Sequence, residues 1–195
     1  AVATVSSSVP TTVFESRAPG SASVLGQYTT SLTCTNATAG SPTVLPTDQP
    51  VTTYNLTSIA YGDAIECTFT NTPIPATVAV QKTTLGALGV TTFTQANLAS
   101  NPLPISTVTA GVAAPASPTP ITVTAYNTDV KIIEAVDPNF TLTAASCSDA
   151  NAAVTGNPAS FGTFTGTTLP IPAANVRAAA QITCSLTNTA PVTVS

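Results

Sequence analysis

The four cysteines are the residues of this sequence whose side chains form covalent bonds most readily. Cys34 and Cys67 lie 33 residues apart, and Cys147 and Cys184 lie 37 residues apart. The sequence has neither a Cys-x-x-Cys spacing nor a histidine, so these residues do not form a zinc site. An even number of cysteines in a chain of low charge favours disulfides formed in an oxidising compartment. Four reduced thiols, buried as small apolar side chains, are the alternative.

The side chains of this sequence offer little other chemistry. Without histidine the chain lacks the most frequent general base, and it contains no nucleophile motif and no phosphate-binding glycine loop. Asp63 and Glu66 are close in sequence, but on a strand their side chains point to opposite faces. The sequence therefore predicts a protein that is not an enzyme and needs no cofactor and no metal ion.

The composition is typical of a folded β protein. Hydrophobic residues make up 43% of the 195 residues and charged residues only 6%, with 17 prolines as turn signals. The apolar residues are interrupted every few positions, and no run approaches the roughly 20 residues of a membrane-spanning helix. We expect short strands and no long helix.

The charges exclude two classes of partner. The formal net charge is −4, and the four cations are scattered along the chain at Arg17, Lys82, Lys131 and Arg177. Nucleic acids and anionic membranes both select clusters of basic residues, which are missing here.

The beginning, "AVATVSSS", is typical of a processed N-terminus or an excised segment. We expect an extracellular or cell-surface location.

The sequence contains an internal repeat. "IECTFTNTPIPATV" matches "ITCSLTNTAPVTV", which aligns Cys67 with Cys184 and Asn71 with Asn188 at an offset of 117 residues. Upstream, Glu15 aligns with Glu134 and Cys34 with Cys147, in the same order. Four landmarks in one order indicate two related domains, each with its own pair of cysteines.

Alternating apolar residues in these segments predict half-buried strands, and the fold class is all-β, with two tandem antiparallel β-sandwiches. The predicted first domain spans residues 1–72 and lacks an opening strand. The second spans 73–191 and is complete, and residues 192–195 form a terminal strand. We expect a disulfide within each domain, between Cys34 and Cys67 and between Cys147 and Cys184.

The phrase "KIIEAVDPNFTLTAASCSD", followed by "AAQITCSLTNT", resembles the prealbumin-like (Cna-B/SpaA-like) domains of bacterial surface proteins and pilins. The resemblance covers the second domain and most of the first. It implies immunoglobulin-like sandwiches that serve as stalks, fibres or adhesive modules.

The resemblance also implies a cross-link. In this family a lysine on the first strand and an asparagine on the last can form an intramolecular isopeptide bond beside a buried acid, and Lys82, Glu134 and Asn188 occupy the matching places. The alternative is a solvent-exposed lysine, an outward glutamate and an asparagine that serves the turn before proline. Glu15 and Asn71 recur in the first domain, without a lysine in the same copy.

The last residues repeat the opening strand of the second domain. "APVTVS" resembles "IPATVAV", so Pro191, Val192, Thr193 and Val194 are candidates for a subunit contact in which this strand completes the first domain of a neighbouring molecule. Two alternatives stay open: the chain is a fragment of a longer array, or the first domain is a smaller sandwich that uses "AVATV" as its first strand.

Two functions follow from these observations. The first is a structural subunit of an extracellular filament, pilus or surface fibre that polymerises head to tail with itself. The second is a segment of a large adhesin that binds a glycan or a host-surface ligand through its loops. Aromatic and arginine anchors are rare in those loops, which favours the first function. Three sequons, at Asn36, Asn55 and Asn139, permit glycosylation.

Overall fold

A computed structural model describes residues 4–5, 7, 9–114 and 120–191. The chain divides into two compact units, Ala1–Pro73 (unit 1) and Ile74–Ser195 (unit 2). The division falls one residue after the boundary expected from the repeat. Residues 1–3 and 192–195, on which the two proposals about an opening and a terminal strand depend, lie outside the described residues.

The described residues of unit 1 form four strands in two pairs. Strand β1 pairs antiparallel with β3, and β2 pairs antiparallel with β4. Backbone bonds between Leu32 and Gln49 connect β2 to the loop beside it. The strands are β1 (Thr11–Phe14), β2 (Tyr28–Asn36), β3 (Thr53–Leu56) and β4 (Ile65–Pro73), and a 3-10 turn spans Leu25–Gln27.

Unit 2 is the larger sandwich. One sheet has the order β11-β13-β5-β9, the other has the order β12-β10-β7, and β6 pairs with β8. The strands are β5 (Thr77–Leu85), β6 (Val90–Thr91), β7 (Phe93–Ala96), β8 (Ile105–Ser106), β9 (Ile121–Thr122), β10 (Val130–Glu134), β11 (Thr141–Asp149), β12 (Thr168–Ile171) and β13 (Gln181–Thr189). A short helix α1 (Ala152–Thr155) and a 3-10 turn (Ala173–Asn175) complete it.

The prediction of two tandem β-sandwich domains is confirmed. The sheets are antiparallel with one exception: β5 and β13, the first and last described strands of unit 2, run parallel along their whole lengths. The connection between them is the entire remainder of the unit, which is long enough for a parallel pair. No described helix is long and apolar enough to cross a membrane.

Period-2 alternation builds the core of unit 2. On β13 the side chains of Ile182, Cys184 and Leu186 are buried, while Gln181 and Ser185 on the opposite face are exposed. The same pattern on β5 and β10 turns valine and isoleucine inward. Burial of these branched side chains against each other supplies most of the driving force for the fold.

Both disulfides are present. Cys34 is bonded to Cys67 and Cys147 to Cys184, so the alternative of four free thiols is wrong. Each bond joins residues directly opposite one another on neighbouring strands, β2 with β4 and β11 with β13. The cross-links therefore hold a strand pair within one sheet. On the chain-entropy estimate, closing loops of this length stabilises each unit by about 3–4 kcal/mol.

The start of β13 is fixed by a buried carboxylate. Asp149 accepts hydrogen bonds from the backbone N–H groups of Asn151 and Gln181 and from the side chains of Thr155 and Asn157. These donors come from the residue before helix α1, from the helix, from the loop after it and from β13. The carboxylate thus ties loops that carry few apolar side chains to the end of the sheet.

A second carboxylate organises the loops of unit 1. Asp63 accepts hydrogen bonds from the Asn36 side chain at 2.7 Å and from the Thr43 hydroxyl at 2.5 Å. Hydrogen bonds from Ser41, Thr43 and Asn36 lower the pKa of Asp63 from 3.8 to about 2. Because the folded state favours the ionised carboxylate, its contribution is fully present above pH 3.8 and is lost as the pH falls through about 2.

We therefore expect unit 1 to lose stability on acidification between pH 3.8 and about 2. Asp63→Asn removes the titrating group, so the stability of unit 1 should depend less on pH in this range. Hydrogen exchange of unit 1 peptides, measured as a function of pH, checks the prediction. Asp48→Asn, at an exposed turn of the same unit, is the matched control and keeps the slope. An unchanged slope in Asp63→Asn contradicts the assignment.

Candidate functional site

Three strands of unit 2 place a lysine, a glutamate and an asparagine in the buried interior at the same end of the sandwich. Lys82 follows Val78 and Val80 on the inward face of β5, and Asn188 follows Leu186 on the inward face of β13. Glu134 is the last residue of β10, in the opposite sheet. The exposed fractions of Lys82, Glu134 and Asn188 are 0%, 4% and 2%. The alternative of solvent-exposed side chains is therefore wrong.

Register explains why these side chains meet. In the parallel pair, Lys82 lies opposite Leu186 and Thr84 lies opposite Asn188, so Lys82 and Asn188 are close neighbours along adjacent strands. Glu134 approaches from the facing sheet, where β10 pairs with β7 and β12. An antiparallel β5 in the same place would reverse its direction and carry Lys82 toward the other end of the sheet.

The carboxylate of Glu134 bridges the other two residues. Lys82 Nζ donates to Glu134 Oε2 at 2.6 Å, and Asn188 Nδ2 donates to Glu134 Oε1. Burial lowers the pKa of Lys82, and the hydrogen bond and negative charge of Glu134 act in the opposite direction. The lysine is therefore closer to giving up its proton than an exposed lysine.

The amide oxygen of Asn188 is buried and has no hydrogen-bond partner among the described residues. In unit 1 the equivalent oxygen, on Asn71, accepts a hydrogen bond from the Thr30 hydroxyl at 2.6 Å. Register pairs Asn71 with Thr30 and Asn188 with Leu142, so a leucine stands where unit 1 has the hydroxyl. An unpaired buried carbonyl is costly and is a feature to expect at a group that reacts or rearranges.

This arrangement has the groups that an amide transfer requires. A proton that moves from Lys82 to Glu134 across their 2.6 Å contact leaves a neutral amine beside the Asn188 amide. The carboxylic acid so formed is already in contact with Asn188 Nδ2, the nitrogen that would leave as ammonia. A surface cleft lined by Phe140, Leu142 and Phe164 reaches Glu134.

Unit 1 repeats two residues of this site, Glu15 and Asn71. Asn71 Nδ2 donates to Glu15 Oε1, and the Thr30 hydroxyl, which donates to Asn71, lies 3.3 Å from Glu15 Oε2. Asn71 is exposed and Glu15 is half-buried, in contrast to the buried pair of unit 2. Residues 1–73 contain no lysine, and the repeat offset of 117 places the counterpart of Lys82 before residue 1.

The described residues contain no group of three or more histidine, cysteine, aspartate or glutamate side chains that could hold a metal ion. Pro191 is exposed, and Val192, Thr193 and Val194 lie outside the described residues.

Sequence reasoning did not find the roles of Thr30 and Leu142, since these depend on cross-strand register. It did place Lys82, Glu134 and Asn188 together, through the family pattern.

Removal of the Glu134 carboxylate tests how much its contacts with Lys82 and Asn188 contribute to the stability of unit 2. Glu134→Ala leaves the Lys82 amine buried without its partner, and we expect unit 2 to lose about 3–5 kcal/mol. Hydrogen exchange of β13 amides measures this loss. Glu66→Ala, at an exposed strand position, should change stability by no more than about 0.5 kcal/mol. Equal effects of the two substitutions contradict the account.

Comparison with known protein families gives two matches. Residues 78–190 match one family model described as a prealbumin-like fold domain of the SpaA type, and residues 1–73 match a second such model. Searches of curated proteins and of solved structures gave no significant match. Domains of this kind are structural and occur in bacterial pilins and surface proteins. The chain belongs to the family of SpaA-like, prealbumin-like fold domains.

Proposed function

We propose that this chain is a structural subunit of an extracellular bacterial pilus or surface fibre that assembles head to tail by β-strand complementation. The observation that carries the proposal is a difference between the two units. In unit 2, β13 lies between β11 and β5. In unit 1, the equivalent strand β4 pairs only with β2 among the described residues.

The free edge of β4 has its backbone groups directed outward. The N–H and C=O of Leu32 bond to Gln49, on the side of β2 away from β4. Leu32 lies directly opposite Phe69, so the two form a non-hydrogen-bonded pair and the backbone groups of Phe69 point away from β2. A regular row of unpaired groups is a template for an added strand.

The core face beside this edge is also incompletely covered. Ile65, Cys67 and Phe69 are half-buried, whereas their counterparts Ile182, Cys184 and Leu186 are buried beside β5. A strand added next to β4 would bury this apolar surface. Strand addition therefore supplies both backbone hydrogen bonds and apolar contacts.

Residues 190–195 are the proposed donor, because "APVTVS" resembles "IPATVA", residues 74–79, which lead into β5. The contact is heterologous: the C-terminal segment of one molecule occupies unit 1 of the next. Such contacts propagate into a filament unless the rotation between subunits closes a ring.

A covalent bond within unit 2 fits the same function. We propose that the amine of Lys82 attacks the side-chain amide carbon of Asn188, forming a new amide bond and releasing ammonia. Glu134 takes the proton from the amine and returns one to the leaving nitrogen. The bond would join the first and last described strands of the unit. A force that pulls on the two ends of unit 2 would then act on a covalent bond.

Substitutions in the terminal segment test strand donation. Val192 and Val194 alternate with Thr193, so Val194 should face the acceptor core and Thr193 the opposite side. Val194→Asp should abolish filaments seen by electron microscopy, while Thr193→Asp, the matched control, should preserve them. If filaments still form after Val194→Asp and after deletion of residues 192–195, this segment is not the donor. If the wild-type chain stays monomeric, the adhesin function is favoured.

Intact-mass measurement tests the proposed bond. The purified chain should be lighter by one ammonia than its sequence with two disulfides requires, and Lys82→Met should restore the missing mass. Lys131→Met, at an exposed position of β10, should retain the loss. A wild-type mass with no loss of ammonia excludes the bond.

A further inference from the structure

The end of unit 2 at which β5 and β13 finish carries exposed apolar side chains. They lie at the last residue of β5 and in residues 86–90 and 107–113, and their exposed fractions range from 40% to 79%. Residues 83–128 contain no charged residue, so these segments bring no charge to the surface that they form. We call this surface the apolar end of unit 2, and its members are Leu85, Leu88, Val90, Val108 and Val112.

Hydrogen bonds hold these segments together as one surface. Gly89 N–H donates to the Thr107 hydroxyl at 3.1 Å, and Thr107 N–H donates to the Gly89 carbonyl at 3.0 Å. Gly111 N–H donates to the carbonyl of Thr84 at 2.7 Å, next to Leu85. The buried hydroxyls of Thr84 and Thr107 are also in contact, at 2.7 Å. A contiguous apolar surface on an ordered framework is the kind that marks an interaction site.

The chain leaves unit 2 beside this surface. Ala190 N–H donates to the Leu85 carbonyl at 2.9 Å, so the segment after β13 starts at the apolar end. In unit 2, β5 runs parallel to β13. A donor strand that adds to β4 in the same way enters the next molecule where β4 begins, at Ile65. Because the donor follows β13 directly, strand donation brings the apolar end of one molecule against the beginning of β4 in the next.

Unit 1 presents an aromatic side chain at that place. Tyr61 is 98% exposed and lies on a turn just before β4. Ala60 N–H donates to the Asp63 carboxylate at 3.0 Å, and the Thr38 hydroxyl donates to the Gly62 carbonyl at 2.7 Å, so both ends of the turn are fixed. Tyrosines are enriched among the residues that contribute most to binding at protein interfaces. A tyrosine on a fixed turn also loses little conformational freedom when it is covered.

We infer that the apolar end of unit 2 docks on the end of unit 1 of a second molecule, and that Tyr61 is the anchor of this contact. The inference rests on the proposed strand donation and adds a second surface to it. Residues 37–47 and 57–62, the loops at this end of unit 1, contain no charged residue, so the contact desolvates no ion from these loops. The ring of Tyr61 packs on the aliphatic side chains while its hydroxyl stays at the rim, in water.

Photo-cross-linking of the full chain tests this contact. The variant Tyr61→benzoylphenylalanine is mixed with isotopically labelled wild-type chain, and the mixture is irradiated. We expect mixed-isotope peptides that join position 61 of one molecule to residues 85–90 or 107–113 of another. Cross-links confined to one molecule, or cross-links between molecules that reach only other segments, would overturn the inference.

Substitutions in unit 2 give a quantitative test by sedimentation. Leu88→Asp should weaken self-association by about tenfold or more, because it places a charge in the apolar contact. Leu103→Asp is the matched control, since Leu103 is a leucine of similar exposure in the loop between β7 and β8, and it should leave self-association unchanged. Equal effects of the two substitutions would contradict the inference.

The outcomes separate this contact from strand donation. If Val194→Asp abolishes filaments while Leu88→Asp has no effect and position 61 does not cross-link to the apolar end, strand donation stands and the docking surface fails. If the wild-type chain stays monomeric, both fail. If position 61 cross-links to the apolar end while Val194→Asp preserves filaments, the docking surface stands and the donor strand fails.

Discussion

The parallel pairing of β5 with β13 is the constraint on which the rest of unit 2 depends. It places the first and last described strands side by side in one sheet and brings Lys82 and Asn188 to the same end of the sandwich. Glu134 then closes the group from the facing sheet. A lysine, a glutamate and an asparagine buried together cost desolvation free energy, and this cost is offset by direct contacts among them.

The two units repeat an acid and an amide side chain in contact, in different surroundings. Unit 2 has all three residues in a dry environment, with an amide oxygen left without a partner. Unit 1 has a half-buried acid and an exposed amide, with a threonine hydroxyl on the amide oxygen. The contrast at Thr30 and Leu142 suggests that the amide of unit 1 is held in a stable hydrogen bond, while that of unit 2 is held ready for attack.

Much of this architecture could be predicted from the sequence, because repeats and period-2 alternation are local patterns. Alternation assigned Ile182, Cys184 and Leu186 to one face, and the aligned cysteines identified both disulfides. The direction of β5 could not be predicted, since alternation is the same for parallel and antiparallel strands. The carboxylate networks of Asp63 and Asp149 were also missed, because their donors come from loops far apart in sequence.

The proposed bond would make unit 2 a module that resists extension, because it would join the first and last described strands covalently. Single-molecule force spectroscopy under reducing conditions, with the ends of unit 2 attached to the probe and the surface, tests this most directly. The account predicts that the chain between Lys82 and Asn188 never extends, so that no unfolding step of that length appears at any force below bond rupture. Full extension of unit 2 in a single step would contradict it.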